Sequence, residues 1–256
     1  MTDFNLNADM AEGYGPWRMG DDDGLLAIIS SANIACGFHA GDYQIMGEVM
    51  TKAHQQGVSI GAHPGFYDLH GFGRRQMSLS EAEVERLIAY QLGASLGVAA
   101  TEKVAVTHIK PHGAINNMAC ADAGLSATIV RAVKAVAPDI IMLAPVLSEL
   151  LSEAEKAGLS VAAEVFADRA YMPDGQLVPR SRPDAMIHDP EDSLAHCLRM
   201  FGEGVIKTVE GGELKVAAQS VCVHGDGPAA LATARHIKDR LQAAGFEMKT
   251  LPQMIS

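Results

Sequence analysis

Val104-Ala-Val-Thr-His-Ile-Lys-Pro-His-Gly-Ala-Ile-Asn-Asn117 is the stretch that decides how the rest of the chain is read. Its first half is a short apolar run with the character of a buried strand, and its second half carries two histidines, a lysine and two amides in what reads as the following loop. The same arrangement recurs along the chain. Apolar runs also lead into Asn7, Asp9 and Glu12, into Asn33, His39 and Asp42, into His63, into Glu164, Asp168 and Arg169, and into His224 and Asp226. Chemistry-bearing side chains placed where strands stop and loops begin are what a parallel β/α barrel uses to assemble an active site at one rim. The pattern predicts an enzyme.

Outward from this block, strand and helix patterns alternate in both directions. Strands are expected at 4–9, 33–35, 58–62, 104–109, 140–143, 161–166 and 220–223. Between them lie a helix from about Asp21, one capped by Asp42 and ended by Gly57, and one opened by the Ser80-x-x-Glu83 capping box. Further helices are expected at 125–136, around Leu147 to Ala154, at 192–201 and at 229–244, while 167–190 is a long loop of the kind that forms lids and binding loops. No Asn-Gly turn joins two alternating strands, so the sheet is expected to be all parallel. Because the polar residues are spread over nearly every strand end, closure into a seven-stranded β/α barrel is favoured over an open sheet with one switch point.

At 256 residues with 48% hydrophobic content, the chain has the size of a single barrel domain spanning residues 1–256. A net charge of -11 leaves no basic footprint, which argues against nucleic acid and anionic membrane surfaces and for a small-molecule substrate. No apolar run reaches bilayer length and no basic-then-apolar segment opens the chain, so a cytoplasmic location is expected. Cys36, Cys120, Cys197 and Cys222 show neither Cys-x-x-Cys pairing nor disulfide-scaffold density and are expected to be reduced.

Each motif has a catalytic and a bland reading. Asn5, Asn7 and Asp9 share one strand face by period two and can hold a ligand or metal at a barrel mouth, or merely plug it. His39 sits in a Gly-flanked loop before a helix start, where backbone N–H groups suit an anion, although Asp42 also reads as a simple cap. Arg74 and Arg75 offer bidentate forks to a carboxylate or phosphoryl group, or are solvated. His108 falls within a strand and suits a hydrogen-bonded core role, whereas His112, beyond Lys110 and Pro111, is the better acid/base candidate. Lys110, desolvated at a strand end, suits an oxyanion. His54, His70, His188, His196 and His236 read as surface or packing residues. Phosphate-loop, Gly-x-Gly-x-x-Gly, Gly-x-Ser-x-Gly and His-Glu-x-x-His motifs are all missing from the sequence.

Taken together, 5–15, 31–42, 61–75, 108–117, 164–180 (opening Glu-Val-Phe-Ala-Asp-Arg-Ala-Tyr) and 222–227 (Cys-Val-His-Gly-Asp-Gly) resemble the LamB/YcsF family, in its order and over nearly the whole chain. Ala8 departs from a frequent Cys, and Asn116 from a common Tyr. The resemblance implies a seven-stranded barrel of the glycoside hydrolase/deacetylase type. It also implies conversion of 5-oxoproline to glutamate coupled to hydrolysis of ATP to ADP and phosphate, in a complex with subunits B and C. ATP is then a cosubstrate, and whether it sits on this chain or on the partners stays open. A lactam is a poor electrophile, so the site needs a base, an oxyanion stabiliser and an anion anchor. Asp9 or His112 is assigned as base, Lys110 as oxyanion support, and Arg74 or Arg169 as clamp. Asn7, His39, His63, Asn117, Glu164, Asp168, His224 and Asp226 complete the expected substrate-binding set. Two other readings stay open. One is a metal-dependent amide hydrolase or deacetylase with Asp9, His63 and His112 as ligands, as in related YdjC-type barrels; the other is a non-catalytic ligand-binding subunit.

Overall fold

Alternation along Asp3–Met10 (β1) divides two kinds of side chain: Asn5, Asn7 and Asp9 point one way, and Phe4, Leu6, Ala8 and Met10 the other. Both sets are almost entirely buried, as a strand in a closed barrel requires. The computed structural model describes residues 3–223 and 230–255. In it β1, β2 (Ser31–Ala35), β3 (Ser59–His63), β4 (Val106–Ile109), β5 (Ile141–Pro145) and β6 (Val161–Phe166) pair in parallel and in sequence order. Two strands, β7 (Val205–Lys207) and β8 (Glu213–Lys215), stand apart. The next, β9 (Ser220–Val223), pairs with both β6 and β1 and closes the seven-stranded parallel barrel. A short β10 (Glu247–Met248) adds to the first residues of β1.

Polar side chains fill the barrel in place of the branched apolar layers common in such folds. At its base, Asn5 Nδ2 donates to Ser30 Oγ (2.9 Å) and Ser31 Oγ (2.7 Å), while Ser220 Oγ donates to Asn5 Oδ1 (2.7 Å). Above lie Asn7, Asn33, His108 and Glu164, each essentially inaccessible to solvent. The residue opposite His108 must be glycine, since a Cβ on Gly61 would stand 2.3 Å from the imidazole. The apolar core lies outside the barrel, where Leu6, Ile34, Ile60, Ile109 and Val221 pack against the helical ring.

The helices are α1 (Asp22–Leu26), α2 (Tyr43–Gln55), α3 (Glu81–Glu102), α4 (Gly113–Ala121), α5 (Ala123–Val136), α6 (Glu149–Lys156), α7 (Pro190–Leu198), α8 (Ala230–Ala243) and α9 (Leu251–Met254). Asp42 caps α2 as expected, accepting from Gln44 N (2.9 Å) and Ile45 N (3.0 Å). Those N–H groups are therefore taken up by Asp42, and the anion site suggested before α2 does not form. Two expectations are corrected. Asn116 and Asn117 lie in α4, which starts directly after His112, because Gly113 at φ 60° reverses the chain into a helix. An antiparallel hairpin does exist, β7–β8, turning near Gly211 and Gly212; their Gly-Gly step was a legible turn signal.

The capping box of α3 is complete, with Ser80 N donating to Glu83 Oε2 (2.8 Å) and Glu83 N to Ser80 Oγ (3.4 Å). Ser80→Ala is expected to lower unfolding free energy by about 1 kcal/mol, measured by urea denaturation with an unchanged slope.

Candidate active site

Lys110 follows β4 and points into the top of the barrel, where its side chain is 3% exposed. Its Nζ lies 3.0 Å from Asp9 Oδ1 and 3.0 Å from Glu164 Oε1, and donates toward Asn7 Oδ1 (3.3 Å) and Cys222 Sγ (3.1 Å). An ammonium has three protons and four acceptors surround it. Burial disfavours the Lys110 charge, but Asp9 foremost, with Glu164, outweighs that and holds its pKa well above the ordinary lysine value. Glu164 is pushed up by burial despite Lys110, and its Oε2 has no hydrogen-bond partner among the described residues. The network runs on through Asn33, whose Nδ2 donates to Asp9 Oδ1 (2.9 Å) and Asn7 Oδ1 (2.8 Å), and whose Oδ1 lies 3.1 Å from His108 Nε2.

Above Lys110, backbone carbonyls fix two imidazole tautomers. His63 Nδ1 lies 2.6 Å from the Lys110 carbonyl and His112 Nε2 lies 2.8 Å from the Phe72 carbonyl. A carbonyl only accepts, so each of those nitrogens carries the hydrogen. The remaining nitrogens, His63 Nε2 and His112 Nδ1, are 3.0 Å apart. Both are lone pairs in neutral rings. Asp9 Oδ2 faces the first at 3.3 Å, and Glu12 Oε1 faces the second at 3.5 Å. His39 stacks on His112 with ring centroids 3.7 Å apart and presents Nε2 to Glu12 Oε1 at 3.2 Å. Burial first, and the nearness of the His63 ring next, push His112 down to about 3, while burial and its imidazole neighbours hold His39 well below the ordinary histidine value.

Acceptor atoms of Asp9, Glu12, His63 and His112 thus converge, and two of them are imidazole lone pairs turned toward each other. A cation between them resolves that opposition. Ligating atoms of Glu12, His39, His63 and His112 lie within 4.8 Å of one another, and a mixed imidazole and carboxylate set suits zinc or a similar divalent ion. The residues fit a metal.

The cluster opens into a cavity of about 460 Å³ lined by Asp9, Glu12, Lys110, His112, Arg74 and Arg169, with Asn116 and Asn117 of α4 also on its wall. Of the sequence candidates, Asp9, His63 and His112 meet at hydrogen-bonding distances. Lys110 meets them too and reaches the cavity wall, with its ammonium held by Asp9, Glu164, Asn7 and Cys222. Asn7 and Glu164 are wholly buried beneath the cavity and hold Lys110 instead of lining the wall. His39 lies behind His112. Arg74 reaches the cavity whereas Arg75 turns away to pair with Asp68. Arg169 lines the wall and Asp168 beside it does not. His224 and Asp226 lie outside the described residues. Glu12, singled out at a strand end but given no role, and Arg180, not singled out, are both on the wall. Glu12 faces inward because Ala11 adopts φ 58°, an unusual left-handed conformation for a residue with a Cβ, and period two cannot foresee that turn. All four cysteines are free and buried.

The family model described as the LamB/YcsF family matches residues 4–256. A relative from Azoarcus sp. (strain BH72), named as the A subunit of 5-oxoprolinase, is 52% identical over 254 residues, covering 99% of each chain. The crystal structure of a lactam utilization protein from Thermus thermophilus superposes with a TM-score of 0.91 at 42% identity, over 98% of this chain and 100% of that one. A structure of T48 deacetylase with substrate aligns at a TM-score of 0.51 and 12% identity, over 99% of this chain and 90% of that one, a likeness of fold alone.

Replacing Lys110 by Met leaves Asp9 and Glu164 without their counter-charge. Lys110→Met is expected to lower unfolding free energy by about 3–5 kcal/mol, and Glu164→Gln added to it should recover part of the loss, both read by urea denaturation. A loss below about 1 kcal/mol would place the pair in the class of solvated surface bridges.

Proposed function

The chain belongs to the LamB/YcsF family, and from that premise we propose that it is the A subunit of an ATP-dependent 5-oxoprolinase, acting with subunits B and C to open 5-oxo-L-proline to L-glutamate. The observation that carries this reading is one cavity holding both an acid and imidazole cluster and arginine side chains. The first suits hydrolysis of an amide and the second suits a substrate that is itself an anion. The name borne by the Azoarcus relative and the description of the Thermus structure as a lactam utilization protein point to the same chemistry. Coupling to ATP overcomes the resonance of the lactam by activating its carbonyl oxygen. This sequence holds no phosphate-loop motif, and the nucleotide can sit on this chain or on a partner subunit.

Asp9, His63 and His112, with Glu12 and His39 adjoining, would hold a divalent ion, which when bound supplies Lewis acidity and a lowered water pKa. The chain's own residues do the rest. Lys110 and Asn33 fix Asp9 Oδ1, leaving Oδ2 directed at His63. Glu12, held between His39 and His112, is the group able to take the proton from attacking water and return it to the departing ring nitrogen, a role open to Asp9 or His112 only where no ion takes their lone pairs. Arg74 or Arg169 clamps the substrate carboxylate. The second reading, a metal-dependent amide hydrolase that needs no nucleotide, is favoured by the same imidazole and carboxylate set.

The deciding assay is 5-oxoproline-dependent phosphate release by this chain alone and with subunits B and C. Little turnover is expected from the chain alone and ATP-coupled glutamate formation from the complex; ATP-independent amide hydrolysis by the chain alone would favour the second reading. His112→Ala should reduce turnover of the complex about a hundredfold or more. The folded chain should survive, because removing one of two opposed lone pairs relieves repulsion. Turnover per folded molecule near that of the parent would make His112 a packing residue.

A further inference from the structure

We infer that Asp22 is a positioning residue of the site: it holds the left-handed turn at Ala11 and, through that turn, keeps Glu12 directed at His39 and His112. This deepens the reading above and rests on it in taking Glu12 as a working group of the cavity. Asp22 is not itself part of the cavity lining.

The β1–β2 ladder ends at the pair Met10 and Ile34, so Ala11 is the first residue beyond it. Ala11 is wholly buried, and its N–H needs an acceptor. Asp22, the first residue of α1, supplies it: Ala11 N donates to Oδ2 (3.3 Å) and Oδ1 (3.4 Å) of its carboxylate. Two oxygens sharing one proton fix the peptide plane that enters the turn. On the far side, a Cβ on Gly41 would stand 2.7 Å from the Ala11 carbonyl oxygen, and Gly41 N donates to the Gly13 carbonyl (2.8 Å). The backbone is thus gripped before and after Glu12. A φ of 58° is disfavoured for a residue with a Cβ, so the turn depends on such bonds. From it Glu12 Oε1 reaches His39 Nε2 at 3.2 Å and His112 Nδ1 at 3.5 Å.

A bland role for Asp22 would be to cap α1. That cap is already Asp21, whose Oδ1 accepts from Gly24 N (2.9 Å), while Asp22 turns its carboxylate back toward β1. Burial foremost lifts Asp22 to about 6, although the Ala11 N–H pulls the other way. A solvated acid in a first helical turn carries no such penalty.

The test reads the imidazoles directly, by nitrogen NMR of the full chain labelled at histidine and stripped of metal. Glu12 faces His39 and His112, whereas His108 bonds Asn33 and serves as the internal control. Asp22→Ala is expected to move the ring-nitrogen signals of His39 and His112 and to leave those of His108 in place. Adding Ala11→Gly, which adopts positive φ freely, should return about half or more of the displacement. Asp22→Asn, which keeps an acceptor oxygen, should stay near the parent. Unmoved His39 and His112 signals in Asp22→Ala, equal movement of His108, or no return with Ala11→Gly would each overturn the inference. If Asp22→Ala alone fails to fold, folding of the double variant supports the turn, and failure of both overturns it by making Asp22 a residue of the fold at large. Partner subunits and turnover play no part in this measurement. A chain that shows the expected pattern while the complex fails to open 5-oxoproline would keep the role of Asp22 and refute the reaction; a complex that turns over although Asp22→Ala leaves the imidazoles unmoved would do the reverse.

Discussion

Lys110 is a fully buried cation whose ammonium stands 3.0 Å from carboxylates on two other strands, Asp9 of β1 and Glu164 of β6. An isolated charge in that position would be prohibitive, and the bonds that compensate it dictate the surroundings. Asn7 spans Glu164 and Ser220, Asn33 spans Asn7 and Asp9, and His108 reaches Asn33 across a space that only Gly61 leaves open. The barrel interior is therefore a hydrogen-bonded column, with the apolar core outside it. Such a column fixes the direction of Asp9, and through the Lys110 carbonyl it also fixes the tautomer of His63.

From that fixed tautomer the chemistry follows. With Nδ1 protonated, His63 turns a lone pair toward the lone pair of His112, whose own tautomer is set by the Phe72 carbonyl. Asp9 and Glu12 add negative charge to the same gap. Preorganised acceptors of this kind cost the fold some stability and return it when a cation binds. Arginine side chains on the cavity wall add positive charge beside that gap.

Much of this was legible in the sequence because a parallel barrel puts strand ends at one rim. The positions of Asp9, His63, His108 and His112 all follow from that rule, and His108 proved to be the hydrogen-bonded core histidine that its place inside a strand suggested. What escaped depends on local backbone or on long-range balance. Glu12 enters the site through the left-handed turn at Ala11, and Asn116 and Asn117 belong to a helix that starts within the loop motif. Glu164 and Asn7 carry polar groups fit for a substrate, yet they serve a lysine, because only three-dimensional pairing reveals which buried charges neutralise one another. Arg180 sits in a loop without periodicity, and its approach to the cavity depends on bonds made by Arg169.

We propose that the polar column builds a site for a divalent cation from Glu12, His39, His63 and His112, with Asp9 beside His63. Metal analysis of the chain, purified without added metal and then titrated with zinc, tests it most directly. About one tightly held divalent ion per chain is predicted, lost in His63→Ala with the fold retained by circular dichroism. A chain that holds no divalent ion after titration, together with a reconstituted complex whose turnover ignores chelators, would contradict it.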